Sequence, residues 1–195
     1  MPETKTGAVA WTEFYEEVGE KLLDYRDNRA TLVKHLRRVA QPLPVVNDLE
    51  NDRFSDGNVG PMRDIDPFTV MATFNRFMKA EHRRAMASGL AQFLRVETPV
   101  PPDFNRVQAP TLHPQRSWFF GYAKDRREGD IDALWEALVA ARDLIASPDG
   151  PRARVRFIAA YDEAQQVWGV KWNLSMGLYW ARPRKFPSLD RWGRA

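Results

Sequence analysis

The stretch Trp11–Arg38, WTEFYEEVGEKLLDYRDNRATLVKHLRR, decides the fold class. Trp11, Phe14, Tyr15, Val18, Leu22 and Tyr25 fall at offsets of 0, 3, 4, 7, 11 and 14. That spacing draws one apolar stripe down a helix. Glu13, Glu16, Glu17 and Glu20 sit towards its start, where the helix dipole favours acids. Asp27-Asn28 is a candidate break, after which Leu32, Val33, Leu36 and Val39 resume the helical spacing until Pro42 and Pro44 stop it.

The same period recurs further on. Asp66-Pro67 reads as an N-cap with proline at the first helical position, opening a helix that buries Phe68, Met71 and Phe74. Ile131, Leu134, Trp135, Leu138, Ala141 and Ile145 share a face behind a capping Asp130. Helices are therefore predicted near 12–38, 67–79, 81–93 and 130–146. Period-two or short aromatic runs predict strands at 117–122, 152–158 and 170–180. The expected fold is α+β and mostly helical, with several amphipathic helices packed on a small sheet. Residues 1–10 read as a flexible tail and 11–195 as one domain. Residues 47–64, rich in Asn, Asp and Gly, read as a long loop that is either mobile or functional.

Composition narrows the function. The 195 residues include seven Trp and no Cys, so disulfides, thiolate metal sites and Cys nucleophiles are excluded. The polar start does not read as a signal peptide, and apolar runs fall far short of a bilayer span, so a cytoplasmic protein without membrane contact is expected. There is no Gly-x-x-x-x-Gly-Lys-Ser/Thr and no Gly-x-Gly-x-x-Gly. His35, His82 and His113 lie in separate segments without metal-ligand spacing; His35 and His82, on helices beside arginines, read as solvated. Asp64 and Asp66 read as helix-start acids rather than a Mg²⁺ pair. No catalytic residue, metal or cofactor is expected, and the chain is read as no enzyme by itself.

Charge is distributed unevenly. Residues 151–195 hold nine Lys/Arg and three acids, an excess of six, whereas the whole chain carries +3. The candidate nucleic-acid contacts are Arg152, Arg154, Arg156, Lys171, Arg182, Arg184 and Lys185, with Arg126 and Arg127 beside them. Trp168, Trp172, Tyr179 and Trp180 are candidate base-stacking walls. Cations interleaved with flat rings suit a polyanion with stackable bases, and reading a modified base calls for an aromatic pocket. The plain alternative is a Trp-rich core under a solvated basic rim.

Several local patterns occur together: Trp11-x-x-Phe14-Tyr15; Asp64-Ile65-Asp66-Pro67-Phe68-Thr69-Val70 with Phe74-Asn75-Arg76; Pro101-x-Asp103-Phe104; Trp118-Phe119-Phe120-Gly121-Tyr122; Asp130-Ile131-x-x-Leu134-Trp135; and Asn173 to Pro183 with Leu189-Asp190. In this order they resemble the region before the AAA+ motor in McrB-like GTPase subunits of modification-dependent restriction systems. The resemblance runs from about Trp11 to Arg194. It implies a non-catalytic DNA target-recognition module of a phage-defence NTPase, modified bases included, whose partners are DNA and an AAA+ motor or restriction nuclease subunit. The sequence lacks a Walker A, so no GTPase activity is carried over to these residues. The second reading is a protein-interaction or assembly module that docks a motor or partner subunit. Six cations, Arg152, Arg154, Arg156, Arg182, Arg184 and Lys185, separate the two. One exposed surface favours DNA, whereas scattering, or pairing with acids of residues 1–150, favours assembly.

Overall fold

The structure, a computed structural model, describes residues 10–43, 48–76, 78–104, 107, 118–170 and 173–187. Within them run α1 (Ala10–Leu22), a 3-10 turn at Leu23–Tyr25, α2 (Arg29–Ala40), β1 (Asp52–Arg53), β2 (Val59–Gly60), α3 (Pro67–Ala72), α4 (Ala80–Leu94), α5 (Asp130–Ala146), α6 (Pro151–Gln165) and α7 (Asn173–Ala181). The fold is mostly helical with a small two-stranded antiparallel sheet, in which Asp52 faces Gly60 and Arg53 faces Val59.

The opening stripe forms as its spacing dictates. Trp11, Phe14, Tyr15, Val18 and Leu22 are buried; the expected single helix is broken after Leu22 by the 3-10 turn, and Asn28 is the N-cap of α2. The expected 67–79 helix stops at Ala72, because Thr73 turns its hydroxyl back onto the Val70 carbonyl at 2.7 Å and the chain bends. Residues 48–64 are not a bare loop: they carry a 3-10 turn and the β hairpin.

Helix α7 occupies the centre. Leu174, Met176, Leu178 and Trp180 are buried, and α7 packs on both α1 and α3. A Cβ at Gly177 would sit 2.6 Å from Phe68 Cδ1, so the approach of α7 to α3 depends on a residue with no side chain. The Tyr15 hydroxyl donates to Asn75 Oδ1, which also accepts from Arg83 at 2.9 Å. Trp135 Nε1 donates to the Ile65 carbonyl at 3.0 Å, tying α5 to the segment before α3.

All three expected strands are corrected. Residues 152–158 lie in α6. Proline at its first position starts a helix, and Ala153, Phe157, Ala160, Tyr161 and Ala164 line its inner side at helical spacing. Most of 170–180 is α7, which is enclosed on nearly every side and so shows no period to read. Residues 118–122 are irregular, and Ser117 lies outside the described residues. Side chains satisfy their backbone: Phe119 N donates to Thr69 Oγ1 at 2.9 Å, and Arg126 Nε donates to the Gly121 carbonyl at 2.9 Å.

Candidate interaction surfaces

The C-terminal cations do not form one surface. Arg182 is buried, paired with Glu20 and donating to the Glu16 carbonyl at 3.0 Å. Arg184 reaches Glu13 at 3.3 Å. Arg156 pairs with Glu136 at 2.6 Å and also with Asp143. These three arginines therefore neutralise acids of α1 and α5, and part of the basic excess is spent inside the fold. Arg152, Arg154 and Lys185 are exposed, with no ion pair recorded among the described residues. Lys171 and Trp172 lie outside the described residues.

Arg126 and Arg127 are also taken up. Asp52, itself buried, accepts from Arg126 and from Ala123 N at 2.9 Å. Arg126 therefore pins the hairpin to the Trp118–Tyr122 segment. Arg127 Nε donates to Asp130 Oδ1 at 3.0 Å and its terminal nitrogen to the Gln166 carbonyl at 3.0 Å.

Of the aromatic candidates, Trp180 is core, edge-on to Phe119 at 6.0 Å, which leaves no face for a base. Tyr179 is partly buried against Trp11 at 5.7 Å. Trp168 is different, being 66% exposed. It rests on Gly121, where a Cβ would lie 2.8 Å from its ring, so that glycine seats the indole.

The hairpin supplies cations the sequence did not single out. The Arg53 guanidinium lies 4.7 Å from the Tyr122 ring centroid, and Arg63 lies 4.3 Å from that of Phe54. Neither makes an ion pair among the described residues, although Asp56 feels the Arg63 charge. Their signal was weak in sequence, because both sit in a segment rich in Asp and Asn.

Helix α6 has two sides. Ala160 and Ala164 face inward, and its principal neighbour is α5. Outward, Val155 is 67% exposed and Ile158 is 50% exposed, side by side along the helix. A hollow of about 390 Å³ lies beneath, lined by Arg26, Arg127, Asp132, Glu136 and Glu163 among others. Its charges are largely matched, with Arg26 at 3.0 Å from Glu136.

Histidine placement differs from expectation. His35 is buried, stacked on Phe93 with ring centroids 4.0 Å apart, its Nε2 bonded to the Gly89 carbonyl at 3.0 Å; burial lowers its pKa. The His82 side chain is mostly covered. His113 lies outside the described residues. Asp66 does cap α3, and Asp64 pairs with Arg29 at 3.0 Å. No group of three or more His, Cys, Asp or Glu capable of holding a metal occurs among the described residues. None of the described helices is long and apolar enough to cross a membrane.

A family model described as "Domain of unknown function (DUF8425)" matches residues 11–195. The chain belongs to this family. No curated protein and no solved structure matches it. The DUF8425 match begins at Trp11, the first aromatic of the α1 stripe, and takes in the described helices from there on and the β1–β2 pair.

The residues that carry the resemblance noted in the sequence are largely structural pins. Asp66 caps, Asn75 holds Tyr15, Arg76 pairs with Asp48 at 2.9 Å, and Trp118 Nε1 donates to the same carboxylate at 3.0 Å. Gly177 admits Phe68. Their contacts hold this chain's own scaffold together and by themselves name no ligand.

Proposed function

We propose that this chain is a non-catalytic assembly module, docking by protein–protein contact to the machinery that the resemblance to McrB-like systems points to. One observation carries the reading: Arg156, Arg182 and Arg184 are bound to acids of α1 and α5, while Val155, Ile158 and Trp168 stay exposed. Neutralised arginines offer a polyanion little, whereas exposed apolar groups beside charged ones suit the core and rim of an interface. The test is a titration of the chain against the AAA+ motor of a McrB-like subunit, and against methylated and unmethylated duplexes, at low and high salt. Motor binding that survives added salt supports docking. Duplex binding that falls steeply with salt, with no motor binding, overturns it.

A second reading, DNA recognition, is favoured by a separate observation. Arg53 and Arg63 lie on aromatic rings with no ion pair among the described residues, and Trp168 is seated on Gly121, the residue before Tyr122. That patch, rather than the C-terminal arginines, is where a duplex would be sought. Arg53→Glu with Arg63→Glu would then weaken duplex binding across sequences and flatten its salt slope.

A further inference from the structure

We infer that the outward face of α6 pairs with the same face of a second copy of this chain, antiparallel and about a two-fold axis. This rests on the assembly reading and names the partner for that surface. The first support is apolar. Val155 and Ile158 stand exposed on a helix whose inner side is already spent on α5. Spaced three apart, they form one small apolar patch in the middle of that face.

The second support is charge. Arg152 and Arg154 stand in the first turn of α6, and Asp162 and Glu163 in the last. That is the reverse of what the helix dipole favours, since cations belong at the C-terminal end and acids at the N-terminal end. All four side chains belong to exposed residues, and none has an ion pair recorded among the described residues. The inversion costs the isolated helix some stability. An antiparallel copy reverses the sense, laying the arginines of each helix against the acids of the other.

The register follows from helix geometry. At 100° per residue, Arg152, Ala159 and Glu163 fall along one flank, with Val155, Ile158 and Asp162 along the middle. A two-fold axis perpendicular to both helices keeps each flank on its own side. With Ile158 meeting Ile158 of the second copy at the axis, Arg152 lies opposite Glu163 of the second copy. The contact is isologous, so the ion pair occurs twice. The charge pattern is complementary to itself, which favours a second copy over any unrelated protein. One helix face is a small interface, so the dimer is expected to be weak and concentration-dependent.

Sedimentation equilibrium on the full chain, from low-micromolar to near-millimolar concentration, tests this. The expected result is a monomer–dimer equilibrium, weakened about tenfold or more by Arg152→Glu, which sets like charges opposite each other twice. Adding Glu163→Arg to that variant is expected to restore dimerisation, which a merely damaged fold would not do. Ile158→Glu is expected to give a monomer with unchanged circular dichroism. A monomer at every concentration, or a charge swap that restores nothing, overturns the pairing. Loss of motor binding in Ile158→Glu, with the chain monomeric throughout, overturns self-pairing but keeps the docking reading. No motor binding by the parent chain, with the chain monomeric throughout, overturns both.

Discussion

Asp66 accepts backbone N–H bonds from Phe68 at 2.8 Å and Thr69 at 3.0 Å, yet the carboxyl is wholly enclosed and its Oδ2 has no hydrogen-bond partner. Burial outweighs the hydrogen bonds and pushes its pKa up to about 6. The folded state therefore takes up this proton more readily than the unfolded chain. The stabilisation is fully present below about pH 4 and is lost as pH rises through about 6. Asn caps a helix about as well as Asp and does not titrate. The stability of Asp66→Asn relative to the parent should accordingly rise between pH 4 and pH 7.5, by on the order of 2–3 kcal/mol. Urea denaturation of both proteins at the two pH values measures it; a difference that stays flat with pH would show that burial does not raise the Asp66 pKa on folding. Subtracting the parent cancels the pH trends of all other groups, which are common to both chains.

Elements differ in how far their residues announce them. Helix α5 runs from Asp130 to Ala146, where the Ile131–Ile145 spacing places it, although its N-cap is Gly129 rather than the expected Asp130 and most of its first three turns are buried. In α6 three alternating arginines imitate a strand over seven residues, and only the longer window through Ala160 and Ala164 restores the helical period. In α7 the enclosure itself removes the pattern. What marks α7 instead is close packing: Gly177 has Phe68 Cδ1 and Cγ within 2.7 Å of where a Cβ would stand. Gly177→Ala should therefore cost about 1–3 kcal/mol of stability by forcing α3 and α7 apart, despite alanine's better helix propensity. Gly129, with open space around it, supplies the contrast. Its φ of 86° makes the cost of Gly129→Ala one of backbone strain, so that variant should lose stability without the changed near-ultraviolet signal expected when Trp180 and Phe119 repack. Thermal melts with near-ultraviolet circular dichroism distinguish the two. The candidate surfaces were legible only in part. Trp168 and Trp180 look alike in sequence, and only the Gly121 seat and the Phe119 contact separate them.

Across the whole molecule, part of the charge asymmetry that first suggests a nucleic-acid site serves to close the chain. Arg182 reaches Glu20, 162 residues away in sequence, and Arg184 reaches Glu13, 171 residues away. Arg156 crosses to Glu136 and Asp143 on α5. Sequence-local reading sees the excess of six cations but not partners so distant. The C-terminal third should therefore behave differently alone and in place. A fragment of residues 151–195 lacks α1, α3 and α5, loses cover for Trp180 and Leu174, and is expected to be unfolded by circular dichroism. Its cations, freed from Glu13, Glu20, Glu136 and Asp143, should bind duplex without sequence preference. Each phosphate contact contributes roughly −0.9 to the slope of log affinity against log salt. The full chain, holding at least three of those arginines in ion pairs, should bind the same duplex more weakly and with a shallower slope. Fluorescence anisotropy across a salt series compares them. A full chain that matches the fragment in affinity and slope would mean that the internal pairs do not hold in solution, and the DNA reading would then regain the C-terminal arginines.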